Sequence, residues 1–294
     1  MNRIDLTERG SAMLQQELQK KFLHLKGLIA PLPEAAVAFS GGVDSTLLLY
    51  ACLEVLGPQR VTALTACSPL IPREELRGAL KLARSLGALQ HLQVDTPDLE
   101  GSPFRNNPRD RCYHCKKEIF SSFLEILGKD KREREGFGKK NFGDRPGPWL
   151  LEGTNRDDLE AYRPGRQAIL ELGVGSPLLE AGLGKKEIRA LSRKIGLPTW
   201  DMPSQACLAS RIPYGKTVDR EKLLQVEKGE SYLKSLGFGE CRLRHHGPLA
   251  RLEVPEGNMA RLLSLSPEVS KKIKALGFTH VTLDLEGLRS GSFD

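Results

Sequence analysis

This sequence is poor in the features that several protein classes depend on. Six cysteines in 294 residues are far too few for a disulfide scaffold, which excludes a stapled secreted mini-protein. No apolar run reaches the roughly 18 residues that a membrane-crossing helix requires. The start, Met1-Asn2-Arg3-Ile4-Asp5, brings an acid early and no apolar stretch, so no signal peptide is expected there. Aromatic residues make up only 6%, which leaves little to stack on nucleic-acid bases. No solenoid-type repeat is visible. A net charge of +7 favours anionic ligands but is too mild to predict nucleic-acid binding. What remains is the composition of a cytoplasmic globular protein, long enough for one large domain and a smaller one.

The patterning supplies the architecture. Leu14, Leu18, Phe22, Leu25 and Leu28 recur at helical spacing within 11–29, and Pro31 and Pro33 end that helix. Ala35 to Phe39 is a short continuous apolar run, as expected of a strand buried on both faces. A helix over 46–56 follows. Strands at 61–66 and 89–94 then alternate with a helix over 72–86. A further helix is expected at 112–127, a fourth strand at 149–152 and a helix at 185–195, stopped by Gly196 and Pro198. This alternation predicts an α/β fold with a parallel sheet, flanked by helices and joined by right-handed crossovers.

Past Pro213 the pattern changes. Helices over 220–236 and 258–276 surround alternating runs at 241–246 and 251–254 and a last strand at 281–285. That order predicts a smaller α+β C-terminal domain whose sheet exposes one face. We therefore expect one domain over 1–205 and another over 206–294. Segment 128–147 is Gly-rich and charged with no apolar period, so it reads as a disordered insertion. Its seven basic and four acidic residues carry three of the seven net charges, which leaves the rest only mildly basic.

Ser40-Gly41-Gly42-Val43-Asp44-Ser45 joins the first strand to its helix. The glycines let the backbone turn and approach an anion, and the loop amides with the first helical turn then point at it. The hydroxyls of Ser40 and Ser45 add donors, and Asp44 can touch a Mg²⁺ that bridges phosphates. The chain has no Gly-x-x-x-x-Gly-Lys-Ser/Thr and no Gly-x-Gly-x-x-Gly, which argues against a Walker ATPase and a dinucleotide fold.

Cys112-Tyr113-His114-Cys115 places two thiols three apart, on one face if helical, with Arg111, Lys116 and Lys117 nearby to favour thiolate. A lone Cys-x-x-Cys fits a zinc half-site, a redox pair, iron–sulfur ligation or two incidental thiols. A zinc site would want a second pair at short spacing. The candidate third ligand is Cys207, in the Pro-bounded polar stretch 203–215, where a loop is expected. Three thiolates can hold a [4Fe–4S] cluster with one iron left open. Cys52 and Cys67 lie inside apolar elements and read as core residues.

The loop over 40–45 resembles the PP-loop of the N-type ATP pyrophosphatases, which include NAD, GMP and asparagine synthetases and tRNA thiolation enzymes. Six stretches (40–45, 111–116, 152–165, 196–215, 243–254 and 281–292) together resemble the LarE family of ATP-dependent sulfur transferases, over nearly all of the chain except 128–147. That resemblance implies an adenine nucleotide alpha hydrolase-like fold that holds ATP and Mg²⁺ on Ser40, Gly41, Gly42, Val43, Asp44 and Ser45. It implies that a carboxylate of pyridinium-3,5-biscarboxylic acid mononucleotide is adenylated and converted to a thiocarboxylate, a step toward a nickel-pincer nucleotide. Cys207 and Glu230 would be catalytic, Arg211, Arg242 and Arg244 would bind the anionic substrate, and Cys112, Cys115 and Cys207 would hold a [4Fe–4S] cluster. Relatives with only the Cys207 equivalent give up its sulfur and are left with dehydroalanine; the added Cys-x-x-Cys favours the cluster version here. The family also implies a homo-oligomer, a hexamer, with no membrane or nucleic-acid partner. The alternative is a PP-loop tRNA thiolation enzyme, which would want a broad basic face with stacking aromatics.

Overall fold

A computed structural model describes residues 3–96, 99–128, 149–159, 164–203 and 206–289, with side chains from residue 15 onward. The expected disordered insertion at 128–147 lies, from residue 129 on, outside the described residues. The chain divides into two compact units. The first comprises 1–67, 73–96 and 112–205, and the second comprises 68–72, 97–111 and 206–294. The second unit is thus assembled from three separate stretches of chain. No described helix is long and apolar enough to cross a membrane.

The first unit begins with α1 (Arg3–Ile29), β1 (Ala35–Ala38), α2 (Val43–Leu56), β2 (Val61–Cys67), α3 (Arg73–Ser85) and β3 (Gln90–Asp95). It continues with α4 (Arg111–Ile126, whose first residue groups with the second unit), β4 (Trp149–Leu151), α5 (Gly165–Glu171), α6 (Pro177–Glu180) and α7 (Lys185–Ile195). The four strands form one sheet in the order β3-β2-β1-β4, and every pairing is parallel. The α/β fold with a parallel sheet flanked by helices is therefore as the sequence predicts. The central strand β1 is buried, and α2 is mostly apolar beyond its first turn because it is covered by α1 and α7. Phe22, Leu25 and Ile29 of α1, Leu47 and Leu48 of α2, and Ile188 and Leu191 of α7 share one core. β3 is the sheet edge and most of its side chains are exposed.

The strand order fixes where a ligand can bind. From β1 the chain runs outward through β2 and β3 on one side, then returns to place β4 on the other side. The carboxyl ends of β1 and β4 therefore flank a switch point, the crevice where open parallel sheets take ligands.

The second unit holds α8 (Arg220–Ser235), β5 (Arg242–His246), β6 (Leu249–Glu253), α9 (Glu256–Ser264), α10 (Ser266–Lys274) and β7 (His280–Leu283). Its sheet has the order β5-β6-β7, antiparallel then parallel. Asp219 caps α8 by accepting from the Lys222 amide at 2.9 Å. The helical stretch expected over 258–276, with an interruption at Pro267, is two helices: Pro267 fits a first turn and so opens α10. The predicted exposed face also differs: Leu243, Arg244 and His245 are consecutive and all buried. Chemical alternation marks a solvated face only when the charges are unpaired, and here Arg244 is paired.

Gly229 shows how closely α8 lies on β5. A Cβ there would stand 2.3 Å from Leu243 Cδ1 and 3.4 Å from Ile273 Cδ1. Gly229→Ala gains about 1 kcal/mol of helix propensity against an overpacking loss of about 1–3 kcal/mol. Chemical denaturation should show a lower midpoint at unchanged slope. A midpoint at or above wild type would mean that Leu243 has room to turn aside.

Candidate functional site

The loop from Ser40 to Ser45 leaves β1 at the switch point. Gly41 sits at φ +77°, a backbone region open to glycine, and a Cβ there would lie 3.1 Å from Ala79 Cβ. On the β4 side, a Cβ at Gly153 would lie 3.1 Å from the Ser45 amide nitrogen. At both positions the backbone is packed too closely for a side chain: Gly41 lies against Ala79, and Gly153 against the first turn of α2. The Ser45 hydroxyl donates to the Gly42 carbonyl at 3.2 Å and accepts from the Ser40 amide at 3.3 Å. These bonds tie the loop to itself. Gly42 caps α2 without a side chain, so the first-turn amides have no acceptor within the helix.

Asp44 carries the charge of this crevice. Its Oδ2 accepts from Lys185 Nζ at 2.5 Å and its Oδ1 from Asn155 Nδ2 at 3.4 Å. Burial holds its carboxyl above the usual carboxylate range, and the Lys185 ammonium only partly opposes that shift. Lys185 opens α7, whose N-terminus is fixed when Glu187 accepts from the Gly184 amide at 2.8 Å. The sequence reading named Asp44 and missed Lys185, Asn155 and Gly153.

The segment after β4 connects this crevice to the paired cysteines. Buried Glu152 accepts from the Thr154 amide at 2.9 Å and from the Ser176 hydroxyl at 2.7 Å. Its other oxygen lies 3.8 Å from Lys116 Nζ on α4. Gly165 lets α4 approach closely, since a Cβ there would stand 3.1 Å from the Cys112 carbonyl oxygen. Cys112 is exposed and Cys115 half-buried in the first turns of α4, as the spacing predicts.

Cys207 belongs to the second unit and is half-buried at the start of a 3₁₀ turn, Leu208–Arg211. That turn is held from three directions. The Ser210 hydroxyl donates to the Cys207 carbonyl at 2.7 Å. Arg211, 8% exposed, donates through Nη1 to the Ala206 carbonyl and to Ser210 Oγ, both at 2.8 Å. Its Nε and Nη2 grip Glu230 at 2.8 and 3.1 Å. Glu230, 4% exposed, also accepts from the Leu243 amide at 3.1 Å. Arg244, 3% exposed, donates to the Ser210 carbonyl at 2.7 Å and grips Glu253 at 2.9 and 3.1 Å. Downstream, Asn107 occupies the left-handed region at φ +50° and its amide donates to the Ile212 and Pro213 carbonyls. Arg242, half-buried, donates to the Arg289 carbonyl at 2.6 Å.

The remaining cysteines divide. Cys52 and Cys241 are buried, and burial pushes the Cys241 thiol up to about 12. Cys67, expected in the core, is half-buried at the end of β2, where its thiol reaches Gln93 Oε1 at 3.7 Å. The predicted ligand set is split by unit, with Cys112 and Cys115 in the first and Cys207 in the second. Among the described residues, no group of three or more His, Cys, Asp or Glu could hold a metal ion.

Comparison with known proteins places these observations. Residues 15–101 match the NAD synthase family. The chain is 38% identical to the pyridinium-3,5-bisthiocarboxylic acid mononucleotide synthase of Lactiplantibacillus plantarum, over 93% of this chain and 94% of that protein. It is also 38% identical to an uncharacterised Synechocystis protein over 94% of this chain and 98% of that one. A Methanocaldococcus jannaschii protein, likewise uncharacterised, is 30% identical over 94% of this chain and 96% of its own length.

Proposed function

The chain belongs to the LarE family, that of pyridinium-3,5-bisthiocarboxylic acid mononucleotide synthase, and from that premise we propose that it is an ATP-dependent sulfur transferase acting on pyridinium-3,5-biscarboxylic acid mononucleotide. A carboxylate is a poor acyl donor because its leaving group would be oxide. Attack of a carboxylate oxygen on the α-phosphorus of ATP makes a mixed anhydride and releases pyrophosphate. A thiolate then attacks the acyl carbon, the acyl–oxygen bond breaks, and AMP leaves; where that thiolate is Cys207, the Cβ–S bond of the resulting thioester then breaks as a base takes the Cα proton, which releases the thiocarboxylate and leaves dehydroalanine.

The residues divide by unit. In the first, the amides of 41–45 and the hydroxyls of Ser40 and Ser45 hold the departing pyrophosphate. Donors fixed in advance cost no reorganisation as charge develops. Asp44 holds Mg²⁺ and Lys185 follows the phosphates. In the second unit, Cys207 supplies or relays sulfur and Arg242 meets the substrate's anionic groups. Glu230 enters through Arg211, whose guanidinium grips both its oxygens. A [4Fe–4S] cluster on Cys112, Cys115 and Cys207 belongs to the same proposal; when bound it would supply a terminal sulfide and spare the Cys207 sulfur. Adenylation does not require it. The proposal also includes the division of labour at 205/206, a cytoplasmic location and a hexameric assembly.

The observation that carries this reading is Asp44, gripped by Lys185 beside the closely packed Gly41 and Gly153, in a chain that also presents Cys207 on a tightly held turn. The test is anaerobic turnover with ATP, Mg²⁺ and the biscarboxylate mononucleotide. AMP, pyrophosphate and thiocarboxylate should appear together and depend on the mononucleotide. ATP hydrolysis indifferent to the carboxylate would overturn the acceptor. Mass spectrometry of the spent protein then distinguishes a Cys207 that has lost its sulfur from one that has kept it.

A further inference from the structure

We propose that Arg211 is a positioning residue for the Cys207 sulfur, acting through Ser210 and the loop carbonyls, and that Arg244 supports the same turn rather than the substrate. The inference rests on the proposed role of Cys207 as sulfur donor. It departs from the expectation that all three arginines of the second unit meet the substrate.

The argument starts from where the guanidinium nitrogens point. Every nitrogen of Arg211 already has a protein acceptor: Nε and Nη2 on Glu230, Nη1 on the Ala206 carbonyl and Ser210 Oγ. Arg244 is arranged alike, with Nε and Nη2 on Glu253 and Nη1 on the Ser210 carbonyl. Both side chains are more than nine-tenths buried. An arginine that recruits an anionic ligand keeps its fork toward solvent. These two forks instead turn inward, onto carboxylates that α8 and β6 hold in place. The acceptors left for Nη1 are the backbone and hydroxyl of the turn that carries Cys207.

Ser210 is the junction. Its hydroxyl receives Arg211 Nη1 and donates to the Cys207 carbonyl, while its own carbonyl receives Arg244. The backbone on both sides of the Cys207 Cα is thereby tied to two buried ion pairs. A thiolate that must reach an acyl carbon needs its Cα–Cβ direction fixed, since small misplacements of a reacting atom lose large rate factors. Arg242, half-buried and donating to the Arg289 carbonyl, keeps the substrate role.

The test uses the full-length protein and the variants Ser210→Ala, Arg211→Lys and Arg242→Ala. Cys207 is alkylated with iodoacetamide at one fixed pH, its rate is read by peptide mass spectrometry, and folding is checked by thermal melting. Ser210→Ala and Arg211→Lys should change the Cys207 alkylation rate by about tenfold at fixed pH, and lower kcat by about tenfold at unchanged KM for the mononucleotide. Arg242→Ala should do the reverse, raising KM about tenfold while Cys207 alkylates as in wild type. If Arg211→Lys does not fold, Ser210→Ala decides alone, because it removes only the bridging hydroxyl. Alkylation within about twofold of wild type in Ser210→Ala, or a raised KM with kcat preserved in Arg211→Lys, would overturn the assignment. Alkylation needs no substrate, so a failure of the proposed reaction leaves this arm readable.

Discussion

Cys207→Ala is expected to lower thiocarboxylate formation about a thousandfold or more, equivalent to ~4 kcal/mol of transition-state stabilisation, while adenylation continues. The split follows from how the chain divides. The pyrophosphate loop, Asp44, Lys185 and Gly153 all belong to the first compact unit, and Cys207 belongs to the second. Removing one sulfur therefore leaves the phosphate cradle and its buried carboxylate untouched. It also leaves the Cys207 turn in place, because the bonds from Ser210 and Arg211 are to the backbone carbonyls of 206 and 207, which alanine retains. Pyrophosphate release should continue within a few-fold of wild type while the acyl-adenylate waits for a nucleophile or meets water. Loss of both pyrophosphate and thiocarboxylate would instead make Cys207 part of nucleotide binding. Thiocarboxylate at more than about a tenth of the wild-type rate would move the sulfur donor to another residue.

The sequence displayed the phosphate loop and its setting because both are local. A buried run, two glycines and an apolar helix lie within 35–56, and no long-range contact is needed to recognise them. What it concealed was brought from far away. Lys185 meets Asp44 across 141 residues. A signal was nonetheless present: Lys185 and Lys186 open a helix, where the macrodipole favours acids, so a lysine there needs another reason. Arg244 was misleading for a different reason. Period-two alternation reports side-chain direction, and a paired arginine and a solvated one alternate alike. The register supplies the missing fact, since Arg242 stands opposite Glu253 and Arg244 opposite Arg251, which gathers three guanidinium charges on one face around a fully buried carboxylate, Glu253. That register, and with it the pairing, depends on the two-residue hairpin Gly247-Pro248. The composition of the second unit was legible; its electrostatic interior was not.

Asp44→Asn is expected to lower mononucleotide-dependent AMP formation by about 10²- to 10³-fold without lowering thermal stability at neutral pH. The sign follows from the direction of the Asp44 shift. Burial disfavours the ionised carboxylate, and Lys185 only partly compensates, so the folded pKa lies above the unfolded one. At neutral pH the ionised group therefore opposes folding, and the opposition fades as pH falls through its folded pKa. Asparagine keeps the shape and the contact with Asn155 but carries no charge to desolvate. Lys185, left without its partner, is one-third exposed and can turn to water. The variant should melt at or above wild type at neutral pH, and the difference should narrow as the buffer is made acidic enough to protonate Asp44 in the wild-type protein. A variant that melts well below wild type at neutral pH would mean that the Asp44–Lys185 pair is a structural bridge, and the acidic charge in the crevice would then need no nucleotide to explain it.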